Sequence, residues 1–405
     1  MVIILKIRQT KPEDYARINE LNALSYGFDS AAFAERFKER FEYQYDENYC
    51  LEVNDEIVAN IRLIDFDQNV RGKRVKMGGI AMVVTDPLHR RKGYIREIMN
   101  FLLKKMIDEK YAVSNLYPFK DTFYGRFGYV NVNPHVFMKF NPKFLSRWKM
   151  LPKGYRIERL TPNEGYKYYK QIYNEKIRDV HGGIVRDKKR WKLWEEQHPG
   201  WYVVAFNAKN KAEGIMRYST KGFMEGFSWS EAGKIRINDI KYLTPQGRQS
   251  LYHYLYLYAD QVVEVTIPVV PYETELYPWL QGYYMTELKA ENIWMTRIID
   301  VKLAIDDIPV TIDGEITIKI SDEHCMHNNQ TYKFTAKNGK LSITELGKQD
   351  CQIEMAQEGL ASLFYGLLTA DDLESFEWLM NATKADRELL NAWFPILPPI
   401  LTEGF

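Results

Sequence analysis

Residues 78–106 read GGIAMVVTDPLHRRKGYIREIMNFLLKKM: a buried strand, a sharp turn and a long amphipathic helix. Residues 80–84 form a short apolar run of the kind that sits inside a sheet, and Pro87 ends it. From Tyr94 onward, Ile95, Ile98, Met99, Leu102, Leu103 and Met106 recur on one helical face. Arg90, Arg91 and Lys92 crowd the helix N-terminus, where the macrodipole disfavours each exposed cation by roughly 0.3–1 kcal/mol. An anion held between these cations and the free N–H groups of the first turn would reverse that cost. Gly93 would let it approach the backbone closely. Phosphate or pyrophosphate fits; a solvated basic turn without a ligand is the alternative.

Working outward, residues 3–8 read as a strand, and Thr10 as the N-cap of a helix that continues through residues 16–26. Residues 28–45 are aromatic and charged, with a helical reading that would line a cleft. Residues 49–53 and 57–64 form a hairpin about Asn54-Asp55-Glu56. After the central helix come a strand at 111–116, a loop at 117–122 and a closing strand at 130–140. This order predicts an α/β sandwich on a mixed sheet.

The same signals then recur. Residues 7–15, IRQTKPEDY, are echoed by 157–166, IERLTPNEGY, and the hairpin of 49–63 by that of 202–218. Residues 235–258 repeat strand, turn and helix, but their turn, Thr244-Pro245-Gln246-Gly247-Arg248, lacks the triple cation. The second copy is therefore expected to have the fold without the phosphate cradle and to bind no cofactor. A third, α+β stretch begins near Trp294. It has a strand at 298–304, hairpins about Asp313-Gly314 and Asn338-Gly339, and helices at 358–368 and 383–393.

A chain of 405 residues suits two to four domains, and a net charge of +1 makes no case for nucleic acid or a membrane surface as partner. The 28 Tyr, 20 Phe and 9 Trp suit an aromatic-lined pocket or, equally, aromatic cores. Cys50, Cys325 and Cys351 are odd in number and widely spaced, which gives no disulfide framework or zinc pattern and predicts a reducing, cytoplasmic setting. The N-terminal apolar run is too short for a signal peptide, and none is long enough to span a membrane. Cys50 lies in a strand pattern and reads as core. His324-Cys325-Met326-His327 reads as solvated surface rather than a metal site, and His89 as a cap of the cation turn.

Arg90-Arg91-Lys92-Gly93-Tyr94-Ile95 resembles the acetyl-CoA loop of the GNAT acetyltransferases, Arg/Gln-x-x-Gly-x-Gly/Ala between strand and helix, with Ile95 where that pattern has Gly or Ala. The wider run from Asp86 to Gly93, with Tyr124-Gly125-Arg126-Phe127-Gly128-Tyr129, the length and the terminal Phe405, resembles the Eis (enhanced intracellular survival) branch. The resemblance implies tandem GNAT-fold domains, mixed sheets flanked by helices. Residues 1–150 would be catalytic and 151–292 degenerate, followed by a sterol-carrier-protein-like α+β domain at 293–405 that supplies the C-terminal carboxylate. It implies direct acetyl transfer from acetyl-CoA, without a metal, to amino groups of aminoglycoside-like or polyamine substrates. It also implies a homo-oligomer, a hexamer being the form suggested.

Thioester aminolysis needs an amine to lose a proton, an oxyanion to be held and a thiolate to be protonated. On the resemblance, Met82, Val83, Val84 and Thr85 offer backbone groups to the pantetheine arm and thioester. Arg90 to Ile95 form the pyrophosphate loop, with Arg96 near it, and Phe119 and Lys120 stand on the cofactor side. Tyr124, whose phenol has an ordinary pKa of about 10, is the implied general acid, with Tyr129 next in line. The Phe405 carboxylate is the implied base, acting through water. The apolar, proline-rich residues 393–401 would hold that tail down. Glu403 is a second candidate base, and Asp29, Glu35 and Glu403 are acidic candidates for binding the cationic acceptor. Two rivals stand beside this reading: a protein or peptide lysine acetyltransferase, and a non-enzymatic lipid binder with a vestigial acetyl-CoA loop.

Overall fold

The computed structural model describes residues 5–27, 38, 44–197, 200–221, 233–269, 286–291 and 294–405. Asp29, Glu35 and nearly all of the helical stretch expected at 28–45 lie outside the described residues. The chain groups into two units. One comprises residues 1–132, 294–397 and 403–405, the other 133–293 and 398–402.

The first unit opens with β1 (Leu5–Gln9) and α1 (Tyr15–Tyr26), then β2 (Asn48–Val53) and β3 (Glu56–Val70). Asn54 and Asp55 join the two strands at φ 49° and 68°, the left-handed pair that a tight hairpin requires. A second tight turn, Arg71-Gly72, leads to β4 (Lys73–Thr85), longer at its start than the sequence suggested. Helix α2 (Tyr94–Asp108) lays Ile98, Met99, Leu102, Leu103 and Met106 against Leu51, Ile61, Leu63 and Ile80 of the sheet. Gly78 allows this approach, because a Cβ there would lie 2.5 Å from Met106 Sδ. β5 (Val113–Leu116), α3 (Asp121–Gly125) and β6 (Val130–Asn131) follow.

The sheet is not closed by 130–140 as expected. Strand Met295–Ile298, from beyond the whole second unit, inserts between β5 and β6 and runs antiparallel to both. Trp294, Met295, Ile298 and Ile299 are all buried, which is what inserting this apolar run into the sheet gains. Residues 135–140 pair instead with strands of the second unit. The strand expected at 298–304 is thus 295–298, followed by a helix.

The second unit contains β7 (His135–Phe140), β8 (Arg156–Leu160), α4 (Pro162–Lys176), β9 (Gly183–Val185), α5 (Lys188–Gln197), β10 (Trp201–Phe206) and β11 (Ala212–Lys221). It continues with β12 (Gly233–Tyr242), α6 (Pro245–Tyr256), β13 (Val262–Val269) and β14 (Glu287–Glu291). Its sheet runs β14-β7-β13-β12-β11-β10-β8, with β12 and β13 parallel about α6, so the strand–helix–strand of the first unit recurs.

The C-terminal part of the first unit holds β15 (Met295–Ile298), α7 (Val301–Ile305), β16 (Gly314–Ser321), β17 (Thr331–Lys337) and β18 (Lys340–Glu345). After them come β19 (Glu354–Ala356), α8 (Gln357–Phe364), α9 (Ala370–Ser375), β20 (Leu379–Met380) and α10 (Lys384–Trp393). Asn338-Gly339 makes the expected hairpin, at φ 53° and 78°. Asp313-Gly314 makes none. Gly314 starts β16, and its missing side chain makes room for Leu389, whose Cδ1 would lie 2.9 Å from a Cβ.

The β3–β4 turn reaches this part. Arg71 donates from Nε to Phe364 O and from Nη2 to Leu363 O and Pro395 O, each at 2.8 Å. Lys73 Nζ donates to Leu303 O and Asp306 O at 2.7 and 2.5 Å. Both cations thus sit at helix C-termini, where the macrodipole favours them. Among the described residues, no helix is long and apolar enough to cross a membrane.

Candidate active site

β4 changes character at its C-terminal end. β3 and β4 are in register from Val70/Lys73 to Arg62/Ala81 and again at Asn60/Val84, so Ile61 alone opposes both Met82 and Val83. Met82 sits at φ 48°, a bulge that turns its backbone groups out of the ladder. On the other side β5 pairs with β4 only from Met77 to Ile80, opposite Val113 to Leu116. Ala81–Thr85 therefore have, among the described residues, no strand partner on that edge. Met82, Val83, Val84 and Thr85, all expected to meet the pantetheine arm, occupy this open stretch.

The open edge leads straight into the cation turn. Asp86, not His89, caps it, accepting the Leu88 N–H at 2.9 Å. Burial opposes the charge on Asp86, but Arg17, donating from α1 at 2.7 Å, and the Leu88 N–H together outweigh it and hold the carboxyl below its usual range. His89 instead leaves Nδ1 buried without a hydrogen-bond partner beside the Tyr94 ring. Arg91 and Gly93 adopt φ 63° and 86°, and Gly93 faces open space: nothing lies within 4 Å of a Cβ built there. Arg91, Lys92 and Arg96 are exposed and form no ion pair among the described residues; Arg90 only reaches back to Thr85 O. Tyr94 is buried, and Ile95 packs on the core beneath α2, which gives the departure from the family pattern a packing role. Free cations, a left-handed glycine and unpaired first-turn N–H groups together make an anion cradle.

From β5 a short loop links two further groups. Tyr117 donates its hydroxyl to Glu403 O at 3.1 Å, and its ring meets Phe405 edge-on at 5.6 Å. The Phe405 ring also lies 5.2 Å from Phe66 and covers Gly79 of β4, where a Cβ would be 3.0 Å from Phe405 Cε2. The chain end is therefore pinned two residues before the open edge begins. Upstream, Ile400 N donates to His181 O at 2.8 Å, and Trp393, Phe394 and Leu401 are buried, while Pro395 and Ile396 are exposed. At the loop's other end, Phe119, exposed, and Lys120 precede α3, and the Phe119 ring meets Tyr124 at 5.5 Å. Tyr124 is buried; burial, with the neighbouring Tyr26 and Tyr129 phenols, pushes its hydroxyl well above the usual phenol range. Tyr129 is fully enclosed, raised by burial to about 12, and bonded to Ser114 Oγ at 2.7 Å.

The second unit lacks this cradle. At the start of α6 the Glu213 carboxylate accepts from the cap Thr244 Oγ1 at 3.0 Å, and a Cβ on Gly247 would strike Glu213 O at 2.3 Å. A carboxylate and close backbone packing thus stand where an anion would enter.

Some polar residues escaped the sequence reading. Asn19, Asn22 and Ser25 recur at i, i+3 and i+6 on α1 and keep buried side-chain atoms without hydrogen-bond partners, as does Asn60 on β3. Their neighbours Ile18 and Leu21 share a core with Val84, against which Met82 packs, so the stripe flanks the bulge. Amides at positions of an apolar periodicity were the available signal. Cys50 lies in that core, its thiol pushed by burial to about 11. The surface reading of His324-Cys325-Met326-His327 holds for Met326 and His327, which are exposed, and fails at Cys325, which is fully buried beside the ion pair of Arg297 and Asp322; His324 is part-buried, its Nε2 bonded to Arg126 O at 2.5 Å.

Comparison with known proteins agrees with this layout. Residues 6–131 and 182–298 each match an acetyltransferase (GNAT) domain family, and residues 301–402 match a sterol carrier protein domain family. The N-acetyltransferase Eis of Mycobacterium tuberculosis is 26% identical over 141 residues, 34% of this chain and 35% of that protein, so the match spans about a third of its length. Among solved structures, a probable N-acyltransferase from Enterococcus faecalis V583 superposes with a TM-score of 0.85 at 20% identity, covering 100% of both chains. Eis1 from Mycobacterium abscessus gives 0.78 at 18% identity, covering 99% of this chain and 100% of that one. These two likenesses are of fold.

Proposed function

We propose that this chain, which belongs to the Eis-type branch of the GNAT N-acetyltransferases, transfers the acetyl group of acetyl-CoA to a primary amine of a hydroxyl-rich or polycationic small molecule. The observation that carries the reading is the open edge of β4 at Met82–Thr85 running directly into the cradle of Arg90–Gly93. A pyrophosphate in that cradle would lay the pantetheine arm along the open edge, where N–H groups freed by the bulge can hold the thioester oxygen as charge develops. Arg90, Arg91, Lys92 and Gly93 take the phosphates, with Arg96, Phe119 and Lys120 beside them.

The amine attacks the thioester carbon and gives up a proton through water to the Phe405 carboxylate. The tetrahedral intermediate then collapses, and Tyr124 delivers its hydroxyl proton to the departing CoA thiolate. Burial supports that acid role, since it keeps the phenol protonated. The Asn22 amide and the Asn19 Oδ1, which find no hydrogen-bond partner, support a hydroxyl-rich acceptor, because a sugar hydroxyl can both donate to and accept from such groups. Aminoglycosides combine such hydroxyls with several amines. Glu403 would draw the cationic acceptor inward. Association of subunits and a cytoplasmic setting, where its three cysteines stay free thiols, belong to the same reading.

The test is CoA release from acetyl-CoA with a panel of aminoglycosides and simple polyamines, for wild type, Tyr124→Phe and a chain lacking Phe405. Turnover that collapses in both variants supports both roles. Acetyl-CoA binding without transfer to any amine refutes the acceptor class, and absence of acetyl-CoA binding refutes the whole reading.

A further inference from the structure

The loop that carries Tyr124 has its backbone polarity divided in two. Its inward N–H groups bond within the loop: Phe127 N to Tyr124 O and Gly128 N to Gly125 O, both at 2.9 Å. Its three consecutive carbonyls, of Arg126, Phe127 and Gly128, point to the C-terminal part of the unit, and each accepts from a different side chain there. His324 Nε2 takes Arg126 O at 2.5 Å, Arg297 Nη1 takes Phe127 O, and Gln357 Nε2 takes Gly128 O at 2.7 Å.

The clamp is itself held rigid. Arg297 is fully buried, and its Nη2 donates to both Asp322 oxygens at 3.0 and 2.8 Å. Asp322 also accepts from the Cys325 and His324 N–H groups at 2.9 and 3.0 Å and from Asn328 Nδ2 at 3.0 Å. Burial opposes its charge, but Arg297 and these donors outweigh the penalty and keep it ionised. Gln357 accepts the Ile298 N–H at 2.8 Å, which fixes the orientation of its amide. Gly128, at φ 76°, leaves the room this needs: a Cβ would lie 2.9 Å from Gln357 Nε2.

A buried ion pair is a poor route to stability, since well-packed apolar residues commonly do as well or better. What it supplies is direction. Three carbonyls bound by three donors, two of them buried and themselves oriented, restrain the loop, and a displacement of about 1 Å at a catalytic group can cost about a hundredfold in rate. We infer that Arg297 of the inserted strand, with its counter-ion Asp322, and Gln357 are positioning residues for Tyr124, so that the sterol-carrier-like part, through Asp322 and Gln357, sets the geometry of the acid. The inference rests on the acid role proposed for Tyr124.

The test uses the full-length enzyme with Gln357→Met and Arg297→Lys, each in wild-type and Tyr124→Phe backgrounds. Arg387→Lys, in an exposed ion pair on α10, is the control. Three quantities are read: kcat, acetyl-CoA affinity, and the 13Cζ resonance of Tyr124, assigned by its loss in Tyr124→Phe. The expected result is a 10- to 100-fold fall in kcat with acetyl-CoA affinity within threefold, and a shifted Tyr124 resonance. In the Tyr124→Phe background the same substitutions should cost less than threefold more. Arg297→Lys, which keeps the charge but loses the fork, should fall at the milder end of that range. An unmoved Tyr124 resonance, or a loss of the same factor with and without the hydroxyl, overturns the inference. If Tyr124→Phe alone leaves kcat intact, the acid role falls, and the resonance still decides whether the clamp positions the ring.

Discussion

Gly79→Ala is the most direct probe of how the chain end is seated. In β4 the residue pairs with Ile64 on one side and Asn115 on the other, and its φ is not left-handed, so alanine fits the backbone. Its Cβ would lie 2.9 Å from Phe66 Cε2 and 3.0 and 3.2 Å from Phe405 Cε2 and Cζ. Overpacking of this kind costs about 1–3 kcal/mol, and replacing glycine returns about 0.4–1 kcal/mol through the unfolded chain, a net loss of roughly 1–2 kcal/mol. Something must move. Phe66 sits in the middle of β3, whereas Phe405 ends the chain and is held by two ring contacts of about 0.5–1.5 kcal/mol each and one hydrogen bond near the tail of about 1 kcal/mol. Phe405 should therefore give way and carry its carboxylate with it. The expected outcome is a fall in kcat of about a hundredfold with acetyl-CoA affinity unchanged. In a chain already lacking Phe405 the substitution should have almost no further kinetic effect. CoA release and calorimetric binding on the four proteins measure this. Wild-type kcat in Gly79→Ala, alongside a damaging loss of Phe405, would refute the reasoning.

Three further outcomes are expected. Arg91→Ala and Lys92→Ala should each weaken acetyl-CoA binding about tenfold, as loss of a charged phosphate contact does, and together flatten its salt dependence; equal salt slopes in mutant and wild type would count against the cradle. Tyr124→Phe should lower kcat by about 10²- to 10⁴-fold. An acid is lost as pH rises through its pKa, and burial has raised this one, so wild-type kcat should show no alkaline limb from Tyr124 below about pH 10. Asn22→Leu should raise stability by about 1–2 kcal/mol in urea melts, since it removes two buried amide atoms that have no partner; a loss of stability would show that the amide serves the folded state.

The parts legible in the sequence were those decided locally. The run from Gly78 to Met106 carries its own strand, turn and helix signals, and Asn54-Asp55 and Asn338-Gly339 announce hairpins through the backbone they alone adopt cheaply. Asp313-Gly314 carries the same kind of signal for another reason: its glycine answers to Leu389 on a distant helix. The inserted strand was invisible because an apolar run shows that it will be buried, not which strands it will lie between. Arg297 and Asp322 look like surface in a sequence, and so Cys325 seemed exposed. At the site, the cation turn could be read from the clash between its charges and the helix dipole. The bulge at Met82 could not, since it arises from a register shift between two strands.

That inserted strand also sets a timetable for the newborn chain. The first sheet is complete only when Met295–Ile298 arrives between β5 and β6. At about 5–20 residues per second the ribosome needs roughly 8–30 s to travel from residue 132 to residue 294. Through that interval the facing edges of β5 and β6 are open to wrong partners, including the same edges on neighbouring nascent chains. The N-terminal stretch that carries the cation turn is thus the first to be made and among the last to be finished, and residues 1–150 expressed alone would be left permanently at that stage.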